Sequence, residues 1–501
     1  MSLKVYNSLT RQKELFEPIN PPYVGMYVCG PTVSGESHLG HARPFITFDI
    51  LYRYLMHLGY KVRYVRNITD AGHFEEEGRE AEDKISTKAV LEKLEPMELV
   101  QKYTNMFHWA MNQFNNLPPS IEPTATGHIV EQIEMIKQII ADGYAYEANG
   151  SVYFDVEKFN TDFSAKGQPY GILSGRVLDE QIESTRALDN QEEKRNKSDF
   201  ALWKNAPPEH IMRWQSPWGE GFPGWHIECS AMSTKYLGKE FDIHGGGMDL
   251  QFPHHECEIA QSTVCNHQMP ARYWMHNNMI TINGKKMGKS YNNVIKLSEL
   301  FAGTHPILAQ PFSPATVRFF ILQSQYRSTL DFSNEALQGS EKALKRLMEA
   351  FDWLMSFEHP VNNTATNTEL NTKVIQLVND FDTFMNDDIN TAKVIANMFE
   401  LVPVINSLKD KHIDASALDS DTYAVLKQQM KAFIVDIFGL QTTKTDNNDK
   451  LDGVLQLLIN MRKDAKQRKD FVTSDRIRNE LTALGIQLKD EKDGGMSYTI
   501  Q

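Results

Sequence analysis

VGMYVCGPTVSGESHLGHARPFITFDILYRYLMHLGYKVRYVRNI, residues 24–68, decides the fold. Val24 to Cys29 is a short apolar run rich in β-formers that stops at Gly30-Pro31-Thr32, and it reads as a buried strand. His38-Leu39-Gly40-His41 follows. From Ala42 to Tyr60 the apolar residues Phe45, Ile46, Phe48, Ile50, Leu51, Tyr54, Leu55 and Leu58 recur at helical spacing, which predicts a helix ending at Gly59. Lys61 to Ile68 alternates and predicts a second strand. Strand, helix and strand in this order form a βαβ unit, so a parallel sheet that binds ligands at its carboxyl edge is expected.

The same signals can be followed along the rest of the 501 residues. Residues 71–95 are dense in charge and predict an exposed loop and helix, residues 96–115 a further helix, and Pro118-Pro119 a break. From 120 to 222 the composition shifts: a helix near 127–142, a hairpin AYEANGSVYFDV with Asn149-Gly150 at its turn, then a polar stretch over 176–198. This segment reads as an insertion. The sheet pattern resumes at Gly224–Met232, Phe241–His244 and Tyr273–Ile282. After residue 315 the chain reads as helical with few strand signals, and its polar interruptions at 361–372 and 442–450 are linker positions. The expected divisions are 1–119 and 223–330 for the two halves of a catalytic domain, 120–222 for the insertion, 331–441 for a helical region and 442–501 for a small last domain.

Composition bounds the class. Hydrophobic residues make up 41% and charged residues 23%, which supports packed cores and excludes a fibre or a disordered chain. A net charge of −13 argues against nonspecific nucleic-acid binding, which draws on clustered Lys and Arg. Four cysteines, at 29, 229, 257 and 265, are too few for a secreted disulfide framework. The N-terminal stretch has no apolar core of signal-peptide type and no run reaches about 18 apolar residues, so a soluble cytoplasmic protein without membrane contact is expected.

Two clusters carry chemistry. In Phe252-Pro253-His254-His255-Glu256-Cys257-Glu258, a helix starting after Pro253 puts His254 and Glu258 at i and i+4, where both reach one metal ion. Cys29, at the end of the first strand, and Cys229 stand where a parallel sheet could bring them beside that helix. Two thiols, an imidazole and a carboxylate suit zinc, but the same spacing is met by two buried thiols and a surface His/Glu pair. Spacing alone leaves both readings open. Cys257 and Cys265 read as ordinary buried thiols. The second cluster pairs His38, Gly40 and His41, at a helix start that offers backbone donors to a phosphate, with Gly284-Lys285-Lys286-Met287-Gly288-Lys289-Ser290, a glycine-flanked basic loop able to bring lysines onto a polyphosphate. A capped helix with solvated histidines and a solvated turn are the plain alternatives.

Taken in order, these motifs resemble the class I aminoacyl-tRNA synthetases, and among them the cysteinyl family. His38–His41 resembles HIGH with Leu39 for Ile, and Lys286–Ser290 resembles KMSKS with Gly288 for Ser. The likeness runs through Gly224–Ser230, the GGGMDLQFPHHECE stretch, where Cys257 replaces the usual Asn, then Asn386–Thr391 and the C-terminal SDRIRNEL. It implies an α/β Rossmann-like parallel-sheet catalytic domain with an α+β insertion, then an α-helical tRNA-binding region that meets the anticodon stem and a small C-terminal anticodon-binding domain. It also implies one Zn²⁺ on Cys29, Cys229, His254 and Glu258. His38, His41, Lys286 and Lys289 become the catalytic residues; Gly40, Gly245, Gly246, Gly247, Asp249 and Lys289 the ATP site; and Thr69, Trp225 and His244 the surroundings of the substrate cysteine.

The activity so implied is attack of the cysteine carboxylate on the α-phosphorus of ATP, with Mg²⁺, followed by transfer of the cysteinyl group to tRNA(Cys) by a monomeric enzyme. Between Arg462 and Arg478 seven basic residues face three acidic ones, a local +4 that fits RNA contact despite the acidic whole. Two alternatives are a ligase that passes cysteine to a small-molecule amine and a non-catalytic tRNA-binding relative. Residues 331–501 favour tRNA as acceptor over the first, and the intact HIGH histidines, loop lysines and zinc ligands disfavour the second.

Overall fold

The computed structural model describes residues 2–71, 95–176, 193–207, 210–224, 226–288, 291–360, 365–441, 446–468, 470–490 and 496–500. The chain divides into two compact units, Met1–Leu440 and Gln441–Gln501. The first unit opens with an antiparallel hairpin, β1 (Lys4–Asn7) and β2 (Gln12–Leu15). There follow β3 (Tyr23–Val28), α1 (Leu39–His57) and β4 (Lys61–Arg66), the βαβ unit legible in the sequence. Helix α1 begins three residues before the expected Ala42, so His41 lies in its first turn; it closes just before Gly59, whose φ of +88° suits a residue without Cβ.

Helices α2 (Pro96–Gln113) and α3 (Ile129–Ala141) lead into a second sheet. It comprises β5 (Ala145–Ala148), β6 (Ser151–Phe154), β7 (Phe200–Asn205), β8 (Trp214–Ser216) and β9 (Gly219–Pro223), antiparallel in the order β5-β6-β7-β9-β8, with α4 (Val156–Ser164) after β6. Asn149 and Gly150 both take positive φ, 49° and 78°, as a two-residue hairpin turn requires.

The chain then returns to the first sheet through α5 (Ile227–Leu237), β10 (Phe241–Gly247), α6 (Glu256–Asn266) and β11 (Ala271–Asn277). The four strands run parallel in the order β11-β10-β3-β4. Both faces are buried. Val24, Met26 and Val28 pack with α1 in the main core, while Tyr27 and Cys29 point the other way, into a cluster with Cys229, Met232, Ile259 and Trp274. The two-residue period of a strand therefore aims Cys29 at α5 and α6.

Two expectations are corrected here. Gly224–Met232 does not continue the sheet: Ile227 onward is helix α5, whose residues from Ile227 to Ser233 are all buried. A helix buried all round lacks the polar stripe that separates it from a buried strand. Tyr273–Ile282 is not one strand either; it breaks after Asn277, and β12 (Ile280–Ile282) joins a separate three-stranded sheet with β13 (Lys285–Lys286) and β14 (Leu330–Phe332). That sheet carries the basic loop. Helices α7 (Leu297–Ala302), α8 (Pro314–Leu322), α9 (Asn334–Ser356), α10 (Thr368–Met385), α11 (Thr391–Lys409) and α12 (Ser420–Lys431) complete the unit. The second unit consists of α13 (Asp446–Gln467), α14 (Phe471–Ala483) and the hairpin β15 (Ile486–Asp490) and β16 (Met496–Ile500), around a small core of Leu455, Leu481 and Ile486.

Candidate active site

Everything chemical gathers at the carboxyl edge of the parallel sheet. Gly30, two residues beyond β3, has no room for a side chain, since a Cβ there would lie 2.6 Å from the carbonyl carbon of Asn67. Its N–H donates to Asn67 Oδ1 at 2.8 Å, which ties the ends of β3 and β4 together and sets Cys29. Cys229 comes from α5, behind His226, a non-glycine residue held at φ +79°. His254 lies in the turn Gln251–His255, kinked by extended backbone at Phe252 (φ −138°, ψ 133°), that leads into α6 and Glu258.

The ligand atoms of Cys29, Cys229, His254 and Glu258 all lie within 4.8 Å of one another, and all four residues are buried. This removes the reading of a surface His/Glu pair. His254 Nε2 is 3.2 Å from Glu258 Oε1, and Cys29 Sγ stands 3.7 Å from the same oxygen. Two sulfurs, a nitrogen and an oxygen from three separate elements fit a zinc ion in its usual donor chemistry. A second quartet overlaps the first: Cys29, His244, His255 and Glu258.

The charges within the cluster are coupled to one another. Burial resists ionisation of Cys229, but the hydrogen bond from Cys29 and the nearby His254 outweigh it and bring the thiol down to about 6. Cys29 is raised well above its usual range by burial and by Cys229. Burial opposes the charge on His254, yet Cys229 and Glu258 hold it well above 6.5. Glu258 drops to about 2 against its own burial because His244 and His254 stabilise the carboxylate.

Four residues around this cluster have no role assigned by the sequence; His226 and His255 lie within motif stretches, and Ser8 and His276 within none. His226 Nδ1 lies 2.6 Å from His254 Nδ1. His255 Nε2 lies 3.3 Å from Cys29 Sγ, its Nδ1 is 2.8 Å from His276 Nε2, and His276 Nδ1 is 2.8 Å from Ser8 Oγ. The relay crosses 268 positions of sequence, so only the sheet order brings it together. His244 stacks on Trp274 with ring centroids 4.4 Å apart and reaches Glu258 Oε2 at 2.9 Å. It thus grips the carboxylate directly. Thr69 accepts from Asn67 Nδ2 at 2.9 Å and pairs with Thr32 across the same edge.

The phosphate side is built on α1. His38 and His41 stack at 3.8 Å, and the backbone N–H of His38 donates to His41 Nδ1 at 3.2 Å. That bond assigns the ring proton of His41 to Nε2. Burial, with the neighbouring His38, lowers His41 to about 3, so it acts as a neutral donor at physiological pH. A Cβ on Gly40 would sit 3.5 Å from Met287 Cε, so the basic loop lies directly over the helix start. Lys285 and Lys286 are exposed. Gly245 and Gly246 belong to β10, between Cys29 and α1: Gly245 accepts from Cys29 N at 3.1 Å, and a Cβ on it would be 2.5 Å from Phe48 Cζ. Gly247 ends the strand and Asp249 follows, exposed, in a short turn. Trp225 and Lys289 lie outside the described residues. Cys257 is buried with Sγ 3.3 Å from Tyr170 Oη, away from both ligand sets.

Comparison with known proteins agrees with this layout. A family model described as tRNA synthetases class I (C) catalytic domain matches residues 15–342, and a DALR domain matches 380–442. The cysteine–tRNA ligase of Bacteroides fragilis is 57% identical over 495 residues, covering 98% of both chains, and that of Porphyromonas gingivalis is 56% identical over the same span and shares. The chain belongs to the cysteine–tRNA ligase family of class I aminoacyl-tRNA synthetases. Its fold is shared more widely: Mycobacterium tuberculosis methionyl-tRNA synthetase in complex with methionyl-adenylate superposes with a TM-score of 0.56 at 11% identity, covering 83% of this chain and 89% of that one. Among the described residues no helix of this family member is long and apolar enough to cross a membrane.

Proposed function

We propose that this cysteine–tRNA ligase selects its amino acid at the Cys29, Cys229, His254 and Glu258 cluster and activates it with ATP between α1 and the basic loop. The observation that carries the reading is the convergence of those four buried donors at the edge where the His38–His41 helix start also opens. A zinc ion held there supplies a soft Lewis acid that favours a thiolate strongly over a serine hydroxyl, whose pKa is far higher. Packing alone separates such similar side chains by only about 1–3 kcal/mol.

The chain's own residues do the rest. His244 and Trp225 surround the side chain of cysteine, and Thr69 stands at its amino end. The carboxylate attacks the α-phosphorus of ATP, which Mg²⁺ accompanies, and pyrophosphate leaves. His38 and His41 donate to phosphate oxygens from the helix start, Lys286 and Lys289 neutralise charge that grows in the transition state, and Gly245–Gly247 with Asp249 receive the nucleoside. The terminal ribose hydroxyl of tRNA(Cys) then takes the cysteinyl group, with residues 331–441 against the anticodon stem and 442–501 at the anticodon. The domain divisions 1–119, 120–222 and 223–330 follow the same reading, as do a monomeric state and a cytoplasmic location.

The test is cysteine-dependent ATP/pyrophosphate exchange, run in parallel with serine and after zinc removal by a strong chelator. Exchange with cysteine alone, abolished with the metal and restored by zinc, is expected. Equal exchange with serine would remove the zinc sieve. No exchange in a folded, zinc-loaded protein would leave a non-catalytic tRNA-binding relative.

A further inference from the structure

We propose that Arg43 is a positioning residue for adenylation, a buried clamp that fixes the root of the basic loop against the first turns of α1. The inference rests on the phosphate-site reading of that loop. Arg43 is 1% exposed, and among the described residues it forms no ion pair. Its guanidinium spends its donors on main-chain carbonyls instead. Nη1 donates to Met279 O at 2.6 Å, while Nη2 donates to Ser328 O and, at 3.4 Å, to Gln325 O. Among the described residues its Nε has no hydrogen-bond partner.

The choice of acceptors is what points to the loop. Met279 immediately precedes β12, and Ser328 stands two residues before β14, so Arg43 holds the starts of both parallel strands of the small sheet. β12 is three residues long and runs straight into the Asn283-Gly284 turn and β13, where Lys285 and Lys286 sit. At about 3.3 Å per residue, the clamp lies only on the order of 10 Å from the loop it would steady. The far side of the loop is tied to the same helix start: Leu39 N donates to Ile295 O and Leu297 N to Ser37 O, each at 2.9 Å. Between them Asn293 closes the loop's mouth, accepting from Gly288 N at 2.8 Å and donating to Lys286 O at 3.1 Å. Both ends of the loop are therefore referred to α1, one by strand-like backbone bonds and the other by Arg43.

A stabilising role alone is a poor account of this residue. The other buried arginines at α1, Arg53 and Arg318, share the carboxylate of Asp49, whereas Arg43 is a buried cation with carbonyl dipoles only. Desolvation lowers it to about 10, so it stays charged. A buried charge lacking a carboxylate is expensive where an apolar side chain would pack. What the guanidinium supplies, and an apolar chain or a single ammonium cannot, is a planar fork that holds three carbonyls from two segments at fixed angles.

The experiment compares Arg43→Lys, Arg43→Met and Lys286→Ala with the parent full-length enzyme. In Arg43→Lys the kcat of cysteine-dependent ATP/pyrophosphate exchange should fall about 10- to 100-fold, the scale of a small misplacement of catalytic groups, and further in Arg43→Met. KM for cysteine should stay within about twofold and zinc content should remain full, because the metal cluster is untouched. Saturating ATP should protect the loop lysines of the parent from trypsin and fail to do so in both Arg43 variants. Unchanged kcat in Arg43→Lys would overturn the proposal, as would losses of kcat that merely track the folded fraction. If Lys286→Ala leaves exchange intact, the phosphate-site reading fails; if it slows exchange while Arg43→Lys matches the parent, only the clamp fails.

Discussion

Nδ1 of His226 lies 2.6 Å from Nδ1 of His254, whose Nε2 faces Glu258 Oε1 at 3.2 Å. Burial and the neighbouring His254 push His226 well below 6.5, so it is neutral and accepts the Nδ1 proton of His254. That holds a proton on Nδ1 of His254, so the proton given up when a metal binds is the one on Nε2. Replacing such a partner of a ligand costs metal affinity about 10- to 100-fold. His226→Asn keeps a residue tolerant of φ +79° and removes the imidazole, so α5 should persist while zinc is lost to a competing chelator about 10- to 100-fold more readily. Chelator competition with circular dichroism on the same sample checks both halves. Parent-like zinc retention would contradict the role.

Gly245→Ala should destabilise the catalytic sheet. The new methyl would meet the Phe48 ring at 2.5 Å from Cζ and 2.9 Å from Cδ1, and β10 cannot retreat because β11 and β3 pair with it on both sides. Overpacking of this kind costs about 1–3 kcal/mol. Phe48→Leu should recover part of that loss in the double variant, giving a favourable coupling in a denaturation cycle. Strict additivity would show that the ring is not what excludes the side chain.

Legibility differs sharply between the two parts of this site. Val24, Met26 and Val28 alternate with Tyr27 and Cys29, and α1 shows its apolar stripe, so the βαβ unit can be read directly. α5 cannot, because Ile227 to Ser233 are buried on every side and leave no period to detect. The loop sheet is hidden for another reason: β12 pairs with β14, about fifty residues downstream, and no local pattern announces such a partner. His254 and Glu258 are visible as an i, i+4 pair, whereas the approach of Cys29 and Cys229 to them depends on sheet order. His226, His276, Ser8 and Arg43 matter only through contacts that span dozens to hundreds of positions.

Asp388 should be a stability hub of the first unit. Its carboxylate, fully buried, accepts from Tyr6 N at 2.8 Å, Tyr326 Oη at 2.6 Å, Arg327 Nε at 2.7 Å and Gln325 Nε2 at 3.1 Å. Asp388 and Ile389 take φ of +67° and +52°, a conformation unfavourable for a β-branched residue and sustained only by surrounding bonds. Asp388→Ala strands several donors at once and should cost about 3 kcal/mol or more in urea unfolding. Asp388→Asn keeps one acceptor oxygen and tolerates the backbone, so it should cost distinctly less. Equal losses would mean that the carboxylate charge, which both variants remove, carries the effect, and not the backbone conformation or the acceptor oxygen that Asn retains.

His276 gives the protein a defined acid limb of stability. Burial, with His244 nearby, lowers it to about 3, and it sits between His255 Nδ1 and Ser8 Oγ. The folded state keeps it neutral, while the unfolded chain takes up a proton below 6.5. Below that pH the unfolded state binds more protons, so stability falls as pH falls, by up to about 1.4 kcal/mol per unit from this group. In His276→Gln the group is absent, and the loss of melting temperature from pH 6.5 to about pH 5 should be shallower than in the parent. Protonation of the cysteine and histidine ligands weakens metal binding over the same range in both proteins, so it cancels in the difference. Identical slopes would mean that His276 takes up its proton in the folded state and that the relay to Ser8 yields to it.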